Sequence, residues 1–215
     1  MKKRIMALVL VSVMLMVAQT ALAEEFTVHA GVKFGETKEE VKNKETLELD
    51  EEADTKLTYK GTVANINNSS IEYYFNDEGY LNDVLYSFPT STTRDTISTR
   101  FDTIESGLVR KYGKSLGNSG GDFYIITGPA FDNAVAFIAL MMWLDGTGDV
   151  VDYGEWIVPN EEDNVKIDLI AYYTRDSKYN YNYFLMLSYH PFTDEDLKAA
   201  QDEKKAENNA VDDDL

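Results

Sequence analysis

The stretch 165-VKIDLIAYYTRDSKYNYNYFLMLSYH-190 contains two strand-like runs on either side of a short polar segment. In the first run, Val165–Thr174, alternate positions are apolar and share one face: Val165, Ile167, Leu169 and Ala171. In the second run, Tyr181–His190, one face likewise carries alternate apolar or aromatic residues: Tyr181, Tyr183, Leu185 and Leu187. The polar residues 175–178 between the runs predict a β-hairpin, and Pro191 is expected to end its second strand.

Three further runs upstream predict an antiparallel meander. They are Leu57–Val63, Ser70–Phe75 and Tyr80–Phe88, with turn residues at 67–69 (Asn-Asn-Ser) and 76–79 (Asn-Asp-Glu-Gly) between them. Other strands are expected at Phe26–Phe34, Asp122–Thr127 and Gly154–Val158. The run Ala134–Leu144 fits either a helix or a strand buried on both faces, and we favour the strand.

Two helices have clear sequence signals. Thr37 followed by Glu40 forms a capping box that predicts a short helix over Lys38–Lys44, and the acidic run Glu45–Asp54 after it is expected to be an exposed loop. A longer helix is predicted over Thr92–Lys111, because apolar residues recur every three or four positions and Gly113 follows. Its apolar stripe is Ile97, Phe101, Ile104, Leu108 and Tyr112.

The order of elements predicts an α+β fold with an antiparallel sheet packed on few helices, because the strands run in series and do not alternate with helices. We expect one domain over residues 24–192. It divides into two halves of similar layout, 24–91 and 92–192, each with a helix followed by an antiparallel meander.

The composition excludes several kinds of chemistry. The 215 residues include 20 Lys and Arg against 38 Asp and Glu, giving a formal net charge of −18. Such an acidic chain is a poor partner for nucleic acid, whose phosphates need a basic surface. The absence of cysteine removes disulfides, thiolate metal sites and cysteine nucleophiles, and no cofactor motif is present.

Residues 1–23 have the three parts of a secretory signal peptide. Lys2, Lys3 and Arg4 precede an apolar run over residues 5–17, and Ala21-Leu22-Ala23 supplies the small residues that a signal peptidase recognises. The run is shorter than the about 20 apolar residues of a membrane-spanning helix. We therefore expect cleavage after Ala23, export from the cytoplasm, and no membrane anchor in the mature chain.

The end of the sequence, residues 193–215, predicts an acidic tail. Thr193 is placed to cap a final helix, but the apolar residues that follow are few and most are alanines. The tail ends in Asp212-Asp213-Asp214, and such a run of like charges is typical of a solvated segment. We expect this tail to be helical or disordered and outside the domain.

The segment Gly31–Val41, GVKFGETKEEV, resembles the G-x-x-F-G-M-S-K-E-E-V helix start of small exported bacterial proteins. The segments Ile71–Leu81 and Leu108–Lys114 fit the same resemblance, to uncharacterised secreted proteins of Gram-positive gut-type bacteria. That resemblance implies a fold similar to the β-lactamase-inhibitor-protein-like and SmpA/OmlA-like folds, with helices against an antiparallel sheet. The lipoprotein cysteine and the inhibitor's disulfides are absent here, so no functional residue is carried over.

Few residues qualify as catalytic or metal-binding candidates. His29 and His190 each stand apart in sequence from other ligand residues, and we interpret both as structural. The acidic loop Asp145–Asp152 has oxygen ligands of the kind that calcium prefers, but it fails the EF-hand spacing and is interpreted as a solvated turn. No catalytic or metal-binding residue is predicted.

The 14 tyrosines are the most unusual feature of the sequence. They concentrate in two groups: Tyr73, Tyr74, Tyr80 and Tyr86, and then Tyr172, Tyr173, Tyr179, Tyr181, Tyr183 and Tyr189. Tyrosine combines contact area with a polar tip and suits protein or glycan recognition, although it also favours strands and the rim of a core. We expect an exported, non-enzymatic binding module; the alternative is a small extracellular hydrolase that uses a carboxylate pair on wall or dietary polymers.

Overall fold

A computed structural model describes residues 26–115, 148–158 and 164–193, together with Lys198. Within that part of the chain, two α-helices and seven β-strands follow a short 3-10 turn at His29–Gly31. The helices are α1 (Lys38–Lys44) and α2 (Arg94–Tyr112). The strands are β1 (Glu48–Ala53), β2 (Lys56–Val63), β3 (Ile66–Phe75), β4 (Leu81–Ser87), β5 (Gly148–Val158), β6 (Asn164–Arg175) and β7 (Tyr181–Phe192).

The seven strands form a single antiparallel sheet in the order β1-β2-β3-β4-β7-β6-β5. The pairing of β4 with β7, from Val84 opposite Tyr189 to Ser87 opposite Met186, joins the strands before α2 to those after it. The α+β class is therefore confirmed. The β6–β7 hairpin is also confirmed, and its two strands pair from Asn164 opposite Phe192 to Arg175 opposite Tyr181.

The core lies on one face of this sheet, here called the front face. Leu57, Ile71, Val84, Leu187 and Ile167 belong to it, and they are 0 to 6% exposed. Side chains from both helices join the same hydrophobic cluster. The opposite face, here called the back face, is polar on β2 and β3 and becomes apolar on β6 and β7.

Both helices form for the reasons expected from their local residue patterns. The Thr37 side chain accepts a hydrogen bond from the backbone of Glu40, whose carboxylate accepts one from the Thr37 backbone at 2.8 Å, so the capping box is confirmed. The stripe of α2 faces the core, with Ile97, Phe101, Ile104 and Leu108 all buried, and Gly113 ends the helix at φ 88°.

The predicted strand at Phe26–Phe34 is wrong. Ala30 and Gly31 both have positive φ, 53° and 74°, which turns the chain back on itself and is incompatible with an extended strand. The backbone N–H of Val28 donates to the carbonyl of Val32 at 2.9 Å and closes this turn. The apolar residues of this irregular segment pack into the core, where Val32 is completely buried.

The predicted loop at Glu45–Asp54 is also wrong, because β1 forms there. All six residues of β1 are exposed, so the strand has no apolar face for a periodicity argument to detect. β1 is an edge strand, and its charged side chains are typical of edges that avoid pairing with another chain. Lysines neutralise part of this charge, as in Lys42–Glu52 at 2.5 Å and Lys60–Asp50 at 2.8 Å.

Two predicted strand ends are displaced. The turn expected at residues 67–69 lies instead at Ala64 and Asn65, whose positive φ values of 50° and 63° suit a tight hairpin, and β3 begins at Ile66. Pro191 does not end β7, which continues to Phe192. Pro191 lies beyond the last residue pair of β7 with β4, where a missing N–H removes no bond to that neighbour.

Other predictions fall wholly or partly outside the described residues. These are the strand at Asp122–Thr127, the ambiguous run Ala134–Leu144, the signal peptide, and, apart from Thr193 and Lys198, the acidic tail. Gly154–Val158 is a strand as expected, but β5 begins earlier, at Gly148. Among the described residues, no helix is long and apolar enough to span a membrane.

Candidate functional site

Three groups of side chains could carry function. They are a buried carboxylate near His29, a buried lysine network on the back face, and a strip of tyrosines at the end of the β6–β7 hairpin. Each has its own chemistry.

The first group is built around Glu45, the residue after α1. Its side chain is completely buried, and its two carboxylate oxygens lie 3.1 and 3.0 Å from Nδ1 of His29. The Tyr73 hydroxyl donates to Oε2 at 2.6 Å, and the backbone N–H of Leu47 donates to Oε1 at 2.9 Å. Tyr86 joins the group by accepting a hydrogen bond from the His29 backbone at 3.1 Å.

Burial alone would raise the pKa of Glu45, but the hydrogen bonds from His29, Tyr73 and Leu47 outweigh it and lower the pKa to about 2. The same carboxylate adds to the effect of burial and raises the pKa of Tyr73. Among the described residues, the imidazole of His29 is hydrogen-bonded to the Glu45 carboxylate and not to a serine or threonine hydroxyl. The group therefore anchors the N-terminal turn to the sheet.

We expect Glu45→Gln to be less stable than the wild type at pH 7. The difference in stability between the two proteins should shrink as the pH falls from about 4.5 toward 2. The difference shrinks at low pH because the Glu45 carboxylate stabilises the folded state only while it is ionised. Thermal melts of both proteins across this range measure the gap. Glu48→Gln, at an exposed position in β1, is the control and should show almost no gap. A gap for Glu45→Gln that stays constant down to pH 2 would contradict this account.

The second group lies on the back face of β5 and β6. Lys166 Nζ is 3.5 Å from both Glu155 Oε2 and Asp168 Oδ1, and all three residues are buried. The Tyr153 hydroxyl lies 2.6 Å from the same Glu155 oxygen and 2.8 Å from the same Asp168 oxygen. Burial lowers the pKa of Lys166, but the two carboxylates outweigh it and raise the pKa, so the lysine stays charged.

This group brings two buried carboxylates close together. Because one hydroxyl reaches both, their two oxygens are at most 5.4 Å apart, the sum of those two distances. Retaining glycosidases space their carboxyls at about 5 to 5.5 Å. Here, however, the space between the carboxylates holds the lysine and the tyrosine, and the residues are nearly closed to solvent, so the pair serves an internal ion network.

The remaining sequence candidates are placed apart from one another. His190 is half-buried in β7, opposite Lys166. Asp149 and Asp152 of the expected acidic turn lie within β5, where Asp152 accepts a hydrogen bond from Ser98 at 3.3 Å. Asp145 and Thr147 lie outside the described residues. Across the described ranges, no three His, Asp or Glu side chains are grouped so as to hold a metal ion.

The third group is the hairpin strip, which we define as Tyr173, Tyr179, Tyr181 and Tyr183. Tyr173 and Tyr183 are opposite each other in the β6–β7 register, and Tyr181 follows on the same face. The ring centroids of Tyr173 lie 5.4 Å from Tyr181 and 5.8 Å from Tyr183. Tyr181 is 41% exposed and Tyr179, at the tip, is 70% exposed.

The tip that presents Tyr179 is rigid and locally strained. The Asp176 carboxylate accepts hydrogen bonds from the backbones of Lys178 and Asn180 and from the Asn180 side chain, at 2.7 to 2.9 Å. Tyr179 has φ 63°, in the left-handed region that costs a side chain about 1 to 2 kcal/mol. The Arg175 guanidinium lies 5.1 Å from the ring centroid of Tyr179 and holds that ring in place.

The tyrosine groups of the sequence thus divide by burial. Tyr73, Tyr86, Tyr172 and Tyr189 are core residues, as the structural interpretation expects. The strip residues follow the recognition interpretation: the rings of Tyr173, Tyr181 and Tyr183 contact one another, and Tyr179 and Tyr181 are exposed to solvent. The sequence does not reveal two sets of contacts. One is between His29 and Glu45, which are 16 positions apart, and the other is between Lys166 and the carboxylates on β5 and β6.

Comparisons of this chain with protein-family models, with curated proteins and with solved structures find no match in any of the three.

Proposed function

We propose that this chain is an exported, non-enzymatic binding protein that contacts its partner through the hairpin strip. The observation that carries the proposal is Tyr179, a 70% exposed aromatic side chain held in a left-handed backbone conformation at the tip of a rigid turn. The exposed ring contributes little to the stability of the fold, and its strained backbone opposes folding. Strain of this kind concentrates at functional sites.

Three further tyrosines at the same end of the hairpin form a cluster of aromatic rings. Tyr181 and Tyr183 stack at 6.3 Å with an interplanar angle of 26°, and Tyr173 packs against both. Tyrosine is enriched in recognition surfaces because it brings area and a polar group at low entropic cost. Neither buried polar group offers comparable access, since Glu45 and the Lys166 network are saturated by internal contacts.

The test uses two preparations of insoluble bacterial cell envelope, one intact and one digested with protease. We expect wild-type protein to co-sediment with at least one of them, and Tyr181→Ala to bind about tenfold more weakly, the loss of about 1.4 kcal/mol that one exposed aromatic anchor supplies. Tyr80→Ala is the matched control, because Tyr80 is 45% exposed but lies outside the strip. Equal sedimentation of all three proteins, or of none, would contradict the proposal.

Export is the second part of the proposal. Its support is the basic, apolar and small-residue pattern of residues 2–23. We expect N-terminal sequencing of the protein from a culture medium to begin at Glu24. Recovery of the chain in the cytosol with Met1 in place would contradict export.

The fold itself supports a finer proposal. We propose that the fold is similar to the β-lactamase-inhibitor-protein-like and SmpA/OmlA-like folds; the support is that two helices lie on one face of an antiparallel sheet. The assignment of the hairpin strip as the binding surface does not depend on this similarity.

A further inference from the structure

We propose that the ligand of the hairpin strip is a neutral polysaccharide. This inference rests on the proposed function and names the chemical class that the strip recognises. Four features of the strip carry it: ring faces, unpaired hydroxyls, limited area and balanced charge.

The ring faces suit sugars. The flat C–H faces of pyranose rings are apolar and pack against aromatic rings, while their hydroxyls point outward to polar groups. Tyr181 and Tyr183 give two rings in a row along β7, and Tyr179 adds a third at the tip. Side chains two positions apart in a strand repeat at about 6.6 Å, so the strip presents a linear series of rings to a linear polymer.

The phenol hydroxyls supply the polar part of such a site. Within the described residues, none of the hydroxyls of Tyr173, Tyr179, Tyr181 and Tyr183 has a hydrogen-bond partner, whereas those of Tyr73, Tyr153 and Tyr172 elsewhere in the sheet each have at least one. A phenol both donates and accepts a hydrogen bond. The strip therefore offers an apolar surface edged by groups that match sugar hydroxyls.

The area of the strip favours a slender ligand over a protein. Tyr179 and Tyr181 are 70% and 41% exposed, and the other two rings are half-buried. At about 150 to 250 Å² for a whole aromatic side chain, the four rings expose roughly 300 to 400 Å². A stable protein interface buries about 800 Å² on each partner, twice that area or more.

The local charge favours a neutral polymer. The chain as a whole is strongly acidic, with a net charge of −18. At the strip, Arg175 and Lys178 balance Asp176 and Asp149, the last of which lies opposite Tyr173. A polyanion would meet the repulsive field of the whole chain, and the strip, with two charges of each sign beside it, has no local excess of charge to hold a polyion. A neutral polysaccharide is affected by neither.

The experiment is native electrophoresis of the full chain in gels that contain a soluble polysaccharide. The neutral probes are mixed-linkage β-glucan, galactomannan and soluble starch, and the acidic probe is polygalacturonate. We expect wild-type protein to be retarded by at least one neutral probe and not by polygalacturonate. Tyr181→Ala should weaken the apparent affinity about tenfold, and Tyr80→Ala should leave it unchanged.

The inference is overturned if no neutral probe retards the wild type, if only polygalacturonate does, or if Tyr181→Ala is retarded as strongly as the wild type. Its failure is distinguishable from failure of the proposed function. Co-sedimentation that depends on Tyr181 but disappears after protease digestion of the envelope would identify a protein ligand: the strip would remain a binding surface, and the polysaccharide would be wrong.

Discussion

Replacement of Phe101 by alanine is expected to lower the free energy of unfolding by about 3 to 5 kcal/mol. Phe101 is at the centre of the α2 stripe and is 1% exposed, packed in the cluster that both helices share with the front face of the sheet. Removing its ring deletes buried apolar area and leaves a cavity that rigid neighbours fill only in part. Urea denaturation of the purified variant measures the change.

The control for this experiment lies on the same helix. Val109 is 41% exposed, so Val109→Ala removes a side chain that contributes little burial, and a change within about 0.5 kcal/mol is expected. Should Phe101→Ala cost less than about 1 kcal/mol, α2 does not pack on the sheet as described.

Lys166→Met is expected to destabilise the protein by a similar amount, about 3 to 5 kcal/mol. The substitution keeps an unbranched side chain of similar length but leaves Glu155 and Asp168 buried with no cation between them. The variant still buries both carboxylates, and their desolvation is no longer offset by attraction to Lys166.

A triple variant separates loss of the cation from loss of packing. Lys166→Met combined with Glu155→Gln and Asp168→Asn removes all three charges, and we expect it to recover most of the stability that the single variant loses. A single variant as stable as wild type at pH 7 would show that these groups are solvated. A triple variant no better than the single one would show that packing at Lys166, and not charge, sets the cost.

The sequence predicts the elements whose signals are local. The α2 stripe from Ile97 to Leu108 encodes burial on one face of the helix, and the structure confirms it. The alternating residues from Val165 to Ala171 are buried as expected, but the opposite face of β6 is buried as well. The capping box at Thr37 needs only four residues of context, and it too is correct. A local pattern of this kind indicates which face of one segment packs against the core.

Errors arise where local chemistry and tertiary context disagree. β1 has no apolar face, because its position at the sheet edge leaves every side chain exposed, and only pairing with β2 makes it a strand. Apolar and polar residues alternate from Phe26 to Phe34 as they do in a strand. Ala30 nevertheless adopts a left-handed conformation, which an alanine does not predict. The conformation of β1 depends on pairing with β2, and that of the Phe26–Phe34 segment on a turn closed by Val28 and Val32 and bonded to the Tyr86 hydroxyl.

The candidate site was likewise predictable only in part, because its residue types are local and their exposure depends on tertiary packing. The density of tyrosines marks the hairpin in the amino-acid sequence as a candidate binding surface. Which tyrosines are open to solvent depends on what packs over each strand. Tyr189 and Tyr183 lie in the same strand and on the same face, yet Tyr189 is only 8% exposed, among Phe26 and Tyr86, while Tyr183 reaches the open end of the hairpin.

The measurement that tests the central claim most directly compares binding and stability for Tyr179→Gly. Glycine adopts φ 63° without strain, so the variant should melt at or above the wild-type temperature while losing the most exposed ring of the strip. The account predicts binding to cell envelope about tenfold weaker than wild type in this intact protein. Wild-type binding by Tyr179→Gly would contradict it.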